Sequence, residues 1–99
     1  MQLGKVIGTV VSTSKDEKLE GLTFQLVEAI DAEGKPTGSI VVAIDSVGAG
    51  VGEVVLTAAG SSARQTYVTK DKPVDTVIMA IVDELELGGI TKYKKNQEA

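Results

Sequence analysis

Apolar positions recur at every second residue over five stretches of this chain, and that spacing predicts strands, whose side chains alternate between two faces. The first stretch is residues 2–13 (QLGKVIGTVVST), with Val6 and Val10 on the face of Gly4 and Gly8, and Leu3, Ile7 and Val11 on the other. Glycines inside a strand mark a bend or a close backbone approach, as at a barrel corner. The second stretch is residues 22–30 (LTFQLVEAI), where Leu22, Phe24 and Leu26 share a face. The third, fourth and fifth are residues 39–46 (SIVVAIDS), 53–59 (EVVLTAA) and 76–83 (TVIMAIVD). Between them lie a charged loop at 14–21, a turn rich in Gly, Pro and Asp at 31–38, a glycine-rich loop at 47–52 and a charged turn at 69–73. The segment Gly60–Gln65 predicts one short helical turn, entered through Gly60 and capped by Ser61 or Ser62. Beyond Gly88-Gly89 the chain is polar and basic, with Lys92, Lys94 and Lys95.

Five strands and one short helix predict an all-β fold: a small five-stranded barrel of the oligonucleotide/oligosaccharide-binding (OB-like) type, with a C-terminal extension. The helix falls between the fourth and fifth strands, not between the third and fourth, and a β-sandwich is the alternative. The expected division is a barrel domain at residues 1–88 and a polar tail at residues 89–99. Two strands ask for more than a barrel. An antiparallel sheet with one wet face alternates apolar with polar. In the third strand, however, Ile40, Val42 and Ile44 oppose Val41 and Ala43, and in the fifth Val77, Met79 and Ile81 oppose Ile78, Ala80 and Val82. Both faces need cover, either from another chain or from the tail, and an oligomer interface is the expectation.

The composition agrees. The chain has 99 residues, 42% of them hydrophobic, and only Phe24, Tyr67 and Tyr93 are aromatic. The core must therefore be filled by Val, Ile, Leu and Ala, which suit pleated sheet. A single domain of this size buries only about two-thirds of its extended surface, so association adds needed burial. The formal net charge of −4 argues against a general polyanion binder, and so does the presence of one arginine, Arg64. There is no cysteine, which removes disulfides and thiolate chemistry, and no histidine, which removes the commonest general base and zinc ligand. The first residues lack the apolar run of a signal peptide or membrane span, so a soluble, cytoplasmic protein is expected.

Little in the chain points to catalysis. The loop Gly48-Ala49-Gly50-Val51-Gly52 contains G-x-G, but it lies between two strands and lacks the rest of a dinucleotide fingerprint. A phosphate cradle is one reading; a tight loop that packs closely, as glycines allow around a symmetry axis, is the other. The segment Gly60-Ser61-Ser62-Ala63-Arg64 gathers hydroxyls, backbone donors and a guanidinium, which would suit an anion or a carboxylate on a neighbouring subunit. Asp45, Glu53, Asp75 and Asp83 are scattered over several strands without metal-ligand spacing. Ser61 and Ser62 lack a histidine, and a Ser–Lys pairing with Lys70 or Lys72 has no specific support. Single-strand nucleic-acid binding would need basic grooves and aromatic platforms, which this acidic chain lacks. A swinging-arm carrier would place a modified lysine on a turn such as Thr69–Pro73, but the residues flanking Lys70 and Lys72 do not fit.

Read in order, the motifs form a series. It runs from Gly8-Thr9-Val10-Val11-Ser12-Thr13 through Lys15 and Leu19-Glu20-Gly21 to Asp45-Ser46-Val47-Gly48-Ala49-Gly50-Val51-Gly52. It continues with Gly60-Ser61-Ser62-Ala63-Arg64 and Pro73-Val74-Asp75, and ends at Ala80-Ile81-Val82-Asp83. This series resembles the pentameric vertex proteins of bacterial microcompartment shells, those of carboxysomes and of ethanolamine- and propanediol-type compartments. The resemblance covers about residues 1–88. It implies a structural, non-catalytic barrel subunit without cofactor or metal, assembled as a homopentamer at the vertices of a cytoplasmic polyhedral shell. Its partners would be the hexameric shell proteins, with neither nucleic acid nor membrane involved. It also implies that Gly48, Ala49, Gly50, Gly52, Gly60, Ser61, Ser62 and Arg64 lie at subunit contacts or near the five-fold axis. The alternative is a non-catalytic β-barrel binding module, or a carrier domain, in a smaller oligomer.

Overall fold

The computed structural model describes residues 1–13, 22–60 and 75–95. Seven strands occur among them: β1 (Gln2–Val10), β2 (Thr23–Ile30), β3 (Pro36–Asp45), β4 (Val54–Ala59), β5 (Thr76–Ile81), β6 (Glu84–Leu87) and β7 (Ile90–Lys94). The first five close a barrel in the order β1-β2-β3-β5-β4, with β4 pairing back onto β1. All contacts are antiparallel except β3 with β5, which run parallel through Ile44↔Val77 and Asp45↔Ile78. The five-stranded, OB-like barrel expected from the alternation is therefore present. No helix among the described residues is long and apolar enough to cross a membrane.

The barrel interior holds Val6, Val27, Ala43, Ala49, Val55 and Ile78, all small or branched aliphatics, as a chain with three aromatics requires. Gly4 explains how β1 comes so close to β2: a Cβ there would run into Cγ1 of Val27 and lie 3.3 Å from the Glu28 carbonyl oxygen. The glycine marks the close approach that the sequence predicts.

The strand bounds shift at both ends of the expected elements. β1 stops at Val10 and β5 at Ile81, short of positions 13 and 83. β3 starts at Pro36, three residues earlier than expected. The turn is confined to Asp31–Lys35, where Asp31 Oδ1 accepts from the amides of Glu33 (2.9 Å) and Lys35 (3.0 Å). Gly38, at a φ of 93°, sits where the β2–β3 register shifts, so its turn chemistry serves a bulge inside the strand.

The alternation analysis did not foresee two strands, and they straddle the expected boundary: β6 lies within residues 1–88, taken as barrel, and β7 within the polar tail. β6 and β7 form a hairpin whose turn is Gly88-Gly89, with φ of 60° and 82°. Leu85 and Tyr93 of this hairpin pack with Leu3 and Leu56 over buried Ile30, Val54 and Val82. The hairpin is also held by Lys95 N–H to the Asp83 carbonyl (2.8 Å) and by the pairs Lys92–Glu33 (3.0 Å) and Lys95–Glu53 (3.1 Å).

Candidate subunit-contact surface

The glycine-rich loop is closed by its own carboxylates. Asp45 Oδ1 accepts from the amides of Val47 and Gly48, both at 2.9 Å. Glu53 Oε1 accepts from the Gly50 amide at 2.6 Å, and the Gly52 amide donates to the Val6 carbonyl at 2.8 Å. A phosphate cradle needs free backbone N–H groups aimed at the ligand. Here four of them are spent inside the loop or on β1, so the loop is a structural closure. Gly48 and Gly52 take φ of 77° and 94°, which a side chain would strain.

Below the loop, Ala49 turns inward and is buried in the barrel core. Gln25, also buried, holds it there: its Nε2 donates to the Ala49 carbonyl (2.8 Å) and to Asp45 Oδ2 (3.4 Å), and its Oε1 accepts from Thr9 Oγ1 (2.9 Å). Ser46 Oγ donates to the Ile78 carbonyl (2.6 Å), tying the loop to β5. Of the loop residues expected at contacts, Gly48, Gly50 and Gly52 are exposed, between exposed Val47 and Val51, whereas the Ala49 methyl belongs to its own core.

Electrostatics reinforce this closure. The Gly50 amide, and then the Lys95 ammonium, hold the Glu53 carboxyl below the usual carboxylate range. Glu53 in turn raises Lys95. A lowered carboxylate contributes stability that is complete above its unfolded value, about 4.3, and is lost as pH falls through the lower folded value. The raised lysine contributes below about 10.4, and its share is lost as pH rises through the higher folded value. Thermal melts from neutral pH downward should therefore show a loss of stability below the ordinary glutamate range. In Glu53→Gln that part of the loss should disappear, because the variant has no charge to titrate. Identical acid profiles for the two proteins would contradict the pairing.

At the far end of β4, Gly60 has a φ of 63° and donates its amide to the Asp75 carbonyl at 2.8 Å. This bond clamps the stems on either side of residues 61–74. Ser61, Ser62 and Arg64 lie outside the described residues, as do the expected helical turn beyond Gly60 and Lys70 and Lys72. Asp45 and Glu53 meet at the glycine loop, but both are committed to its amides. No group of three or more potential metal ligands occurs among the described residues. Among the described residues, clefts of about 490 and 190 Å³ are lined by apolar and neutral polar side chains, with Met1 and Gln2 in both.

What stands out is apolar surface. The doubly apolar third and fifth strands divide their needs. Val77 and Ile78 of β5, and Ala43 and Ile44 of β3, are buried within the chain, and Val82 just beyond β5 is buried beneath the hairpin. The tail thus supplies part of the cover. Ile40, Val41 and Val42 of β3 remain 53%, 41% and 51% exposed. Among the described residues β5 reaches β3 only at Ile44 and Asp45, so this half of the strand is paired on its β2 side. Ile40 and Val42 share one face of the strand, while Val41 lies on the face of Ala43 and lines the smaller cleft. The hairpin tip adds Leu87 and Ile90, also exposed, which the sequence reading missed. The signal was there: Glu84-Leu85-Glu86-Leu87 alternates and is followed by Gly-Gly.

Known proteins share this fold. The family profile described as ethanolamine utilisation protein EutN/carboxysome matches residues 1–83. The carboxysome shell vertex protein CcmL of Synechocystis is 43% identical over 98 residues, covering 99% of this chain and 98% of the relative. The structure of Gloeobacter violaceus CcmL superimposes with a TM-score of 0.92 at 41% identity, over 98% of this chain and all of the other. A solved chain described as the GrpN pentameric microcompartment shell protein from Rhodospirillum rubrum gives 0.81 at 47% identity, over 88% of this chain and 99% of that one. With a profile match over more than half its length and full-length relatives above 40% identity, the chain belongs to the EutN/carboxysome family of shell vertex proteins.

Proposed function

We propose that this protein is a structural subunit of a bacterial microcompartment shell, that five copies form a ring, and that the ring caps a vertex of the polyhedron. The observation that carries this reading is the uncovered apolar row of β3 in a chain whose relatives are shell vertex proteins, one of them described as pentameric. The physical logic is geometric. Hexagonal tiles alone make a flat sheet, and closing it into a polyhedron requires five-fold units at the corners. A small barrel with exposed Ile40, Val41 and Val42 gains in the ring the burial that its size denies it alone.

The role is mechanical, and none of the four scattered carboxylates is asked to act as an acid or base. The other partners of the ring are the hexameric shell proteins of the same compartment, which places the protein in the cytoplasm. Gly48, Gly50, Gly52, Gly60, Ser61, Ser62 and Arg64 belong to the subunit junctions or the rim of the five-fold axis. Support for the first three comes from their exposure on a loop with internally satisfied amides. Barrel and hairpin act as one unit through Leu85, Tyr93, Lys92 and Lys95.

Co-expression with the hexameric tiles of its own compartment tests the reading. Closed polyhedral particles are expected when this chain is present, and open sheets, tubes or leaky shells when it is left out. Equally well-closed shells in both cases would overturn the vertex role.

A further inference from the structure

Two apolar rows on this chain run from covered to uncovered. On β3, Ile40, Val42 and Ile44 alternate onto one face. Ile44 is buried with Val77 and packs with Phe24, while Ile40 and Val42 are exposed. On the hairpin, Leu85 lies opposite Tyr93, and both pack onto the barrel. Leu87 lies opposite Ile90 at the tip, and these are 43% and 59% exposed. Simple alternation would turn Ile90 and Tyr93, three positions apart, to opposite faces. The register shift leaves Lys92 without an opposite residue on β6, and so returns Ile90 to the face of Tyr93. The bulge thus keeps one apolar face along the whole hairpin, although Leu87 and Ile90 at its outer end remain exposed.

The two rows lie on different sides. The order β1-β2-β3-β5-β4 sets β3 across the barrel from the β1–β4 pair. The hairpin is seated on Leu3 of β1 and on Val54 and Leu56 of β4. A cyclic ring with more than two members needs this kind of placement, because its contacts are heterologous and join two different patches. A two-fold dimer needs one self-complementary patch instead.

We infer that in the ring Leu87 and Ile90 at the hairpin tip of one copy seat on Ile40 and Val42 of β3 in the next copy. The inference rests on the pentameric reading and adds to it which surfaces meet. The occupant is a second copy because each row continues a cluster already packed within the chain, and because the GrpN relative, 47% identical, is described as pentameric.

The absence of cysteine makes cross-linking clean. The chain carrying both Leu87→Cys and Val42→Cys is treated with a short bis-maleimide and run on a denaturing gel. A ladder reaching five linked chains is expected, whereas each single variant stays a one-chain band. The pair Ile90→Cys with Ile40→Cys repeats the test should the first variant fold poorly. If both double variants are pentameric by native mass spectrometry yet remain one-chain bands, the seating is wrong and the pentamer stands. If the unmodified chain forms no pentamer, the proposed function falls first, and the seating with it.

Discussion

Replacing Gly4 with valine is expected to cost about 3 kcal/mol, the upper part of the range for overpacking a well-filled core. The reason is local. A Cβ at position 4 meets Cγ1 of Val27 and approaches the Glu28 carbonyl oxygen to 3.3 Å. Val27 is 2% exposed and branched at Cβ, so its rotamer is fixed and it has nowhere to turn. The Glu28 carbonyl belongs to the β2 backbone, paired to β1 beside Lys5. Neither can yield without opening the β1–β2 seam that closes the barrel. For a domain of this size each kcal/mol moves Tm by roughly 4–8 °C, so the melt should fall by about 12–24 °C. Gly8→Ala is the control, since the nearest atom there is Cδ1 of Leu26 at 3.4 Å, the end of a flexible side chain. A Gly4→Val protein that melts with the Gly8→Ala protein would show that β1 has room to shift.

Ending the chain at Asp83 is expected to be at least as damaging. Removing the hairpin uncovers Ile30, Val54 and Val82 and strips Leu3 and Leu56 of their neighbours Leu85 and Tyr93. Fully burying one aliphatic side chain contributes about 1.5–3 kcal/mol. Partial re-exposure of five such side chains therefore costs on the order of 4 kcal/mol, an upper estimate because the unfolded chain is itself partly compact. The lost pairs Lys92–Glu33 and Lys95–Glu53 are solvent-exposed and add little. Against a typical total of about 5–15 kcal/mol, that is a large share. The urea midpoint reads it directly. A truncated chain with an unchanged midpoint would mean that the hairpin is an ornament of the barrel.

How much of this was legible in the sequence depends on the range of the interaction involved. The five barrel strands were readable because each is dense in branched apolar residues, but the side that faces inward was not: in β2 the face read as apolar, Leu22, Phe24 and Leu26, is not the one that fills the interior, which takes Val27 beside buried Gln25. Gly4 announced the close approach of β1 because no other residue fits there. The start of β3 was misplaced because Pro36 and Gly38 carry turn chemistry that the structure spends on a strand start and a bulge. The hairpin was missed because Lys92, Lys94 and Lys95 made the tail look wholly polar. Its apolar face becomes continuous only once the bulge at Lys92 is known. The glycine loop was half legible: spacing located it, but the capture of its amides by Asp45 and Glu53 is a matter of geometry. The doubly apolar strands signalled a need for cover without saying that the hairpin would meet it at Val82 and leave Ile40 and Val42 exposed.

Native mass spectrometry of the purified chain tests the central claim most directly. Five copies of the 10.3 kDa chain give about 51.5 kDa, and the account predicts that mass as the dominant species, with no added prosthetic group. A monomer or dimer that persists across a broad range of concentration would contradict it.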